Sequence, residues 1–271
     1  MKRLLLAGAA LGVLAAPAMA ADMAVKAPAP YPYLWNGFYA GLNAGYADEQ
    51  STFTTAANYT PDTVLGIGAG ISEGLASLSS GRIVTNNGMG FIGGGQVGYN
   101  AQLGKLWVVG LEADIQGKTG SSDGSVAAGQ MVAGTPVTSV QTVSAKTDWL
   151  GTVRGRFGIL LTPTWLVYFT GGLAYGANSA NSTLAQSAAG FFGTGAASLS
   201  TTRIGGTYGA GLEWMFARNW SAKAEYLFYD LGTTNFSYAA RAGFLTPVYQ
   251  TVTNSVHFEG NIARAGINYH F

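Results

Sequence analysis

The stretch that decides the fold is the last one of the chain, Gly260-Asn261-Ile262-Ala263-Arg264-Ala265-Gly266-Ile267-Asn268-Tyr269-His270-Phe271. Along it, apolar side chains alternate with small or polar ones up to the final residue. A period of two is typical of a β-strand whose two faces meet different surroundings. The apolar face ends on Tyr269 and Phe271, although the last residues of soluble domains usually fray. An edge strand of a soluble sheet and a strand of a membrane barrel both fit this stretch alone.

Seven further segments show the same alternation, which indicates a largely antiparallel all-β protein. They are residues 37–46, 91–99, 107–115, 149–157, 165–175, 208–216 and 220–228. The connections between these segments alternate between short (100–106, 158–164, 217–219) and long (47–90, 116–148, 176–207, 229–258). Short turns on one side and long loops on the other are typical of outer-membrane barrels. The sequence therefore predicts an eight-stranded antiparallel up-and-down transmembrane β-barrel with short periplasmic turns and four long extracellular loops.

Aromatic residues bracket the predicted strands at even spacing, so both members of a pair fall on the apolar face. A spacing of eight residues on a tilted strand covers roughly 20 Å, close to the apolar band of about 25 Å between the aromatic girdles of membrane barrels. Ordinary cross-strand packing in a soluble sandwich would not require this spacing. The predicted girdle residues are Phe38, Tyr46, Phe91, Tyr99, Trp107, Trp149, Phe157, Trp165, Tyr175, Tyr208, Phe216, Trp220, Phe228 and Phe271.

The faces opposite the apolar ones carry charge, which predicts a polar interior and a lipid-facing exterior. A soluble barrel would show the reverse, with apolar residues inside. Four acidic and four basic residues balance each other, as a closed interior requires, because an unpaired buried charge is costly. An ion path or a proton relay is the alternative to a packing network. The predicted interior charge network consists of Glu112, Asp114, Arg154, Arg156, Glu213, Lys223, Glu225 and Arg264.

The N-terminus has the organisation of a secretory signal peptide. Lys2 and Arg3 precede a short apolar run, and Ala18-Met19-Ala20 forms a small-x-small cleavage site. The run is too short for a membrane-spanning helix. Residues 21–36 follow as a Pro-rich, extended periplasmic linker. The predicted organisation is thus a signal peptide over 1–20, a linker over 21–36 and a barrel over 37–271.

Composition excludes several classes of function. Charged residues make up 10% of the 271-residue chain, against about 25% in soluble domains. The absence of cysteine excludes disulfides and thiolate metal sites. Because 14 basic residues nearly balance 13 acidic ones, nothing indicates nucleic-acid binding.

The chain resembles the small alphaproteobacterial outer-membrane proteins of the porin or outer-membrane immunogenic type, which are similar to the eight-stranded OmpA/OmpX-like barrel. The resemblance rests on residues 35–46, residues 90–99 and the ending 261–271, where Ile267, Tyr269 and Phe271 correspond to the barrel assembly signal. It implies an abundant surface protein with roles in envelope integrity and host contact. Haemin binding is implied for some relatives, but it carries over to no residue of this chain.

Two patterns that could carry chemistry have simpler interpretations. Gly93-x-Gly95-x-x-Gly98 matches a dinucleotide-binding fingerprint, but it lies inside a predicted strand and no helix follows it. His257 and His270 lie at opposite ends of the last strand, so they cannot share a metal or a catalytic triad. His257 alone, near the loop side, has no acidic or serine partner placed beside it by the pattern.

The sequence therefore predicts a non-enzymatic, structural and surface-exposed protein of the outer membrane, with no cofactor. A narrow porin for small solutes is one alternative, and loop-mediated ligand binding or adhesion is another. The expected partners are outer-membrane lipid and lipopolysaccharide, the barrel assembly machinery and periplasmic chaperones, with no nucleic acid. The loop ligand, the oligomeric state and the conductance of the interior are not set by the sequence.

Overall fold

The computed structural model describes residues 35–59, 69–85, 88–188, 190–242 and 248–271. The predicted signal peptide lies outside these residues, and so does the predicted linker except for Trp35 and Asn36. The elements of the described part are β1 (Gly37–Tyr59), α1 (Ala69–Ser79), β2 (Gly81–Thr85), β3 (Gly90–Leu103), β4 (Trp107–Lys118), β5 (Ser122–Val132), β6 (Thr135–Thr162), β7 (Trp165–Ala188), β8 (Phe191–Ala217), β9 (Trp220–Ala242) and β10 (Val248–His270).

The strands form an antiparallel sheet, which confirms the predicted all-β class. Neighbours pair in the order β10, β9, β8, β7, β6, β4, β3, β1, β2, and β5 pairs with β6. The last strand also pairs with the first, from Tyr39 opposite His270 to Tyr59 opposite Gln250. Each of the eight predicted segments lies within a strand of this sheet, namely β1, β3, β4, β6, β7, β8, β9 and β10, except that Phe271 follows the end of β10.

The two faces of the sheet have the polarity that the alternation predicts. On β4, Glu112 and Asp114 are buried, whereas Leu111, the residue before Glu112, is 67% exposed. On β10, Arg264 and Asn268 are buried, whereas Ile267 is exposed. The inner face is thus rich in polar side chains and the outer face is apolar, the opposite of a soluble protein.

The two ends of the sheet differ. Short turns at residues 104–106, 163–164 and 218–219 join strands at one end, called the turn end here, where Phe271 also lies. Gly104 supplies the positive φ of +67° that the first of these turns needs. At the opposite, distal end, several strands continue well beyond the predicted segments.

This continuation occupies much of the segments that the sequence predicts as long loops. Much of residues 47–90, 116–148, 176–207 and 229–258 is strand: β1 continues to Tyr59, and β5 forms a hairpin with an extended β6. In parts of these segments, such as the distal half of β7, inward and outward side chains are alike small or polar, so the sequence carries little strand signal there. Without a contrast in hydropathy, a period of two cannot be read from the sequence.

Helix α1 lies at the distal end and packs against the inner face. Its Leu75 belongs to an apolar cluster with Val137 of β6 and Ala188 of β7. The Gln186 side-chain amide donates to the Leu75 carbonyl over 3.1 Å. In the described residues, no helix has the length and apolarity that crossing a membrane requires.

Candidate functional site in the interior of the sheet

The eight predicted interior charges are all buried and belong to one connected network. They come from five strands, β4, β6, β8, β9 and β10. Since these strands have a common polar face, alternation alone brings the charges to the same interior. The network consists of Glu112, Asp114, Arg154, Arg156, Glu213, Lys223, Glu225 and Arg264.

Arg154 lies at the centre of this network. Its Nη2 is 2.5 Å from Oε1 of Glu112 and 2.9 Å from Oδ2 of Asp114, and its Nη1 is 2.9 Å from Oε1 of Glu225. Its Nε donates to the Thr152 hydroxyl over 2.8 Å. The planar guanidinium thus binds three carboxylates at once, and a lysine ammonium would match this arrangement less well.

The other cations complete the charge balance around it. Arg264 lies 2.8 Å from Asp114, and Lys223 lies 2.8 Å from Glu112. Arg156 lies 2.6 Å from Glu213. Each buried carboxylate therefore has a cation within hydrogen-bonding distance, the condition under which buried ions are tolerated.

Two tyrosines fill the space around the charges. The Tyr39 hydroxyl donates to Glu112 over 2.7 Å, and the Tyr168 hydroxyl donates to Glu225 over 3.1 Å. The Arg156 guanidinium lies 3.9 Å from the centroid of the Tyr168 ring. The two rings cover the inward faces of Gly98 and Gly211, where a Cβ atom would collide with them. The bulky side chains thus occupy the room that the inward glycines leave.

Trp35 closes the interior at the turn end. It was predicted to be part of a linker, but it is fully buried and clusters with Val108 and Leu166. Its Nε1 donates to the Pro163 carbonyl over 3.1 Å, and its ring meets that of His270 edge-on at 5.8 Å. The sequence contains a signal for this position, since Trp35 is a tryptophan two residues before the start of β1.

A mainly apolar layer lies on the distal side of the charge network. Its members include Phe53, Ile92, Leu227 and Phe258. A second buried ion pair occurs at this side, where Lys118 Nζ lies 2.9 Å from Glu49 Oε2. The alternation of the sequence does not reveal this pair, because both residues lie in segments predicted as loops.

Further towards the distal end, polar side chains form another layer below α1. The Gln141 amide donates to Thr55 over 3.0 Å and to Asn254 over 3.2 Å. The hydroxyls of Ser182 and Tyr238 lie 3.2 Å apart, and burial raises the pKa of Tyr238. Ser79 of α1 lies 3.0 Å from Ser139 of β6, so the helix is bonded to the strands that surround it.

The aromatic residues predicted as girdles lie on the outer face in two groups. At the turn end, Phe38 contacts Tyr99 with centroids 4.9 Å apart, and Trp107 stacks on Phe157 at 5.1 Å. Trp165, Phe216, Trp220 and Phe271 belong to the same group through Trp214 and Tyr269, which the prediction omitted. In the distal group, the contacting pairs are Tyr46 with Phe91, Trp149 with Tyr175, and Tyr208 with Phe228.

The predicted assembly signal lies on the outer face of β10. Ile267 and Tyr269 are exposed, and Phe271 is 75% exposed with its ring 5.2 Å from that of Tyr269. The backbone N–H of Phe271 donates to the Phe38 carbonyl over 3.0 Å. The final residue is thus tied to β1 by its backbone, while its side chain is free to meet another surface.

His257 has neighbours that the sequence pattern did not reveal. Its Nδ1 lies 3.0 Å from the Thr233 hydroxyl, and its Nε2 lies 3.5 Å from Asp230 and 3.7 Å from Glu259. A register shift between Phe258 and Glu259 brings these outward side chains together. Within the described ranges, no group of three or more His, Asp or Glu residues is arranged to hold a metal ion.

Comparisons with known proteins agree with this architecture. Residues 6–271 match the outer membrane protein beta-barrel domain family. The chain is 36% identical over 288 aligned residues to the 31 kDa outer-membrane immunogenic proteins of Brucella melitensis and Brucella suis, with full coverage of both partners. Among solved structures, the outer membrane protein OprG of Pseudomonas aeruginosa is similar with a TM-score of 0.38 and 10% identity, over 87% of this chain and 97% of that one. The chain therefore belongs to the outer membrane protein beta-barrel domain family, and its place is the outer membrane.

Proposed function

We propose that the protein is a structural, surface-exposed outer-membrane barrel that supports envelope integrity and surface contacts and has no open pore. In this proposal β1, β3, β4, β6, β7, β8, β9 and β10 form a closed eight-stranded barrel. The pairing of β10 with β1 over the length of both strands supports closure. The turn end faces the periplasm, because short turns lie on that side of outer-membrane barrels.

The observation that carries the proposal is the filling of the interior. From the turn end to the distal end, the Trp35 cluster, the charge network, an apolar layer, a polar layer and α1 follow one another. Eight strands enclose a space that side chains can just fill. A packed series of this kind supports the proposal that no continuous water path wide enough for general diffusion runs through the interior.

Surface contact is the part of the proposal that the distal extensions support. Strands β7 and β8 continue past the distal aromatic group, and Phe192, close to the tip of their hairpin, is 77% exposed. The two Brucella relatives are named immunogenic. Antibodies bind the parts of a protein that are exposed outside the cell, so a name of this kind is consistent with an exposed surface. We propose that these extensions form the extracellular surface, which is also where adhesion or binding of a ligand such as haemin would take place.

The partners follow from this placement. The apolar outer face is expected to contact lipid and, in the outer leaflet, lipopolysaccharide. The exposed ending of β10 would be presented to the barrel assembly machinery, after passage with periplasmic chaperones. Neither catalysis nor nucleic-acid binding is part of the proposal.

Conductance in a planar bilayer tests the proposal. The purified, refolded protein should give at most small, flickering currents, because each layer blocks the interior. A sixteen-stranded porin reconstituted in the same bilayer is the positive control. Stable, long-lived openings of comparable size would replace the structural function with transport.

A further inference from the structure

Strands β8 and β9 stop pairing with each other beyond the distal aromatic group. The two strands pair from Ala217 opposite Trp220 to Gly206 opposite Asp230, and pairing resumes only with Thr194 opposite Arg241. Between these points, β8 stays paired with β7, and β9 stays paired with β10 except at a bulge near Asp230. The backbone edges of β8 and β9 thus face each other across a slit.

The burial of inward side chains along the strands agrees with this loss of pairing. Inward positions in the distal halves of β7 and β10, such as Asn178, Ser182 and Asn254, are buried. The corresponding inward positions of β8, including Leu199 and Arg203, are only partly buried. The inner face of the sheet is therefore more accessible to solvent at the slit than along the neighbouring strands.

An open crevice of about 440 Å³ lies at the base of the slit. Its apolar lining includes Ile204 and the contacting rings of Tyr208 and Phe228. Ile204 and Tyr208 are 70% and 63% exposed, so the crevice is continuous with the apolar outer face. Gly206 also lines it, with empty space where a Cβ atom would stand.

A cation lies at the same crevice. Arg203 lines it and donates from Nη2 to the Thr233 carbonyl over 2.8 Å, across the slit. Its Nε is buried, without a hydrogen-bond partner among the residues that the structure describes. Asp230 also lines the crevice, but it accepts a hydrogen bond of 2.7 Å from the Gly232 backbone and lies 3.5 Å from His257. The Arg203 guanidinium thus places a positive charge at the crevice, and its hydrogen bond across the slit goes to a neutral carbonyl oxygen.

We propose that this crevice binds a phosphorylated lipid of the outer leaflet, with an acyl chain against Ile204, Tyr208 and Phe228 and a phosphate at Arg203. Aromatic belts lie where acyl chains meet head groups, so both parts of such a lipid are present at this level. Arginine binds phosphate with parallel, charge-assisted hydrogen bonds. A purely polar solute would leave the apolar lining unused, and a hydrocarbon would leave Arg203 unused. The inference rests on the outer-membrane location and is independent of whether the interior conducts.

Native mass spectrometry of the refolded full chain tests this proposal, with diphosphoryl lipid A as the probe. The informative variants are Arg203→Gln, which removes the cation, and Gly206→Val, which fills the crevice. Their matched controls are Arg82→Gln, an exposed arginine with one hydrogen bond to Thr52, and Gly117→Val, where a Cβ atom also meets nothing. Heat-modifiable electrophoretic mobility establishes that every variant is folded.

We expect one tightly held lipid A per wild-type chain, with retention about tenfold weaker in Arg203→Gln and Gly206→Val and unchanged in the two controls, a tenfold change being 1.4 kcal/mol. Lipid A without its phosphates should be held as weakly by the wild type as the diphosphoryl form is by Arg203→Gln. Equal retention by wild type, Arg203→Gln and Gly206→Val would overturn the proposal. Undiminished retention of the dephosphorylated lipid by the wild type would overturn it as well.

Discussion

Nη1 of Arg154 on β6 donates a hydrogen bond of 2.9 Å to Oε1 of Glu225 on β9, although the two strands do not pair with each other. The contact therefore crosses the interior. With Asp114 and Glu112 also bound to Arg154, one guanidinium connects β4, β6 and β9. Such a contact fixes the relative positions of strands that backbone pairing alone does not bring together.

Replacing Arg154 by alanine should destabilise the protein by about 3–5 kcal/mol, because the carboxylates it serves stay buried and one negative charge becomes unbalanced. Arg154→Lys should cost less, since it keeps the charge but loses the planar fork. Urea unfolding of the protein in lipid vesicles measures both. Arg82→Ala, at an exposed site on β2, is the control that should leave the midpoint unchanged. Equal midpoints for the wild type and both Arg154 variants would mean that these charges stand in water, which favours the porin alternative.

The ion pair of Lys118 and Glu49 gives a second test of how dry the interior is. Glu49→Gln should destabilise by about 3–5 kcal/mol, because the ammonium group 2.9 Å away loses its counter-charge in a buried site. The double variant Glu49→Gln/Lys118→Met should recover most of that loss, since no charge remains to be desolvated. A double-mutant cycle of urea midpoints measures the coupling. If the two substitutions prove additive, the pair is not coupled and the site is hydrated.

The sequence was sufficient for the strand faces wherever inside and outside differ in polarity. Glu112 and Asp114 alternate with Leu111 and Ile115, so the period of two assigned each of them to a face without knowledge of the register. Which charges meet depends on register and on the reach of long side chains across the interior. That is why the composition of the network was predictable and its centre at Arg154 was not.

The strand faces in the distal half of the sheet were not predictable, because there the inward and outward side chains do not differ in polarity. On β7, inward Asn178, Ser182 and Gln186 alternate with outward Asn181 and Thr183, so polarity does not distinguish the faces. The interruption of pairing between β8 and β9 was not predictable either. It depends on how segments distant in sequence pair, and a local sequence pattern does not contain that information. Trp35 is an intermediate case. A tryptophan after a Pro-rich segment indicates that its ring is buried, but it does not indicate which part of the protein covers the ring.

Trp35→Ala should destabilise the protein by about 3–5 kcal/mol, because it removes a fully buried ring at the turn end and leaves a cavity. Trp35→Phe should cost less, since it keeps most of the ring but loses the hydrogen bond to the Pro163 carbonyl. Trp220→Phe, at an outward ring, should have little effect. Urea midpoints in vesicles measure all three. A Trp35→Ala midpoint equal to the wild type would place residue 35 in a linker, as the sequence analysis had it.

Deleting Phe271 should impair assembly in cells more than stability in vitro. The side chain is exposed and adds little to packing, but it ends the predicted assembly signal. We expect accumulation in the periplasm and loss of heat-modifiable mobility in cell fractions. Phe271→Ala keeps the backbone hydrogen bond to Phe38 and separates the two contributions. Phe216→Leu, a change at another outward aromatic, should assemble normally, and an unchanged outer-membrane yield after deletion of Phe271 would refute this role.

Helix α1 should be separable from the rest of the barrel. Leu75→Ala leaves a cavity between α1, Val137 and Ala188, a change that typically costs about 2–5 kcal/mol. Because α1 lies beyond the distal aromatic group, the cost should appear as local opening rather than as a lower midpoint for the whole barrel. Hydrogen exchange should accelerate in residues 69–79 and remain slow in residues 107–115 and 149–157. Bilayer currents should remain small, because the charge network and the Trp35 cluster still block the interior. Stable openings in Leu75→Ala alone would instead make α1 the gate of a channel.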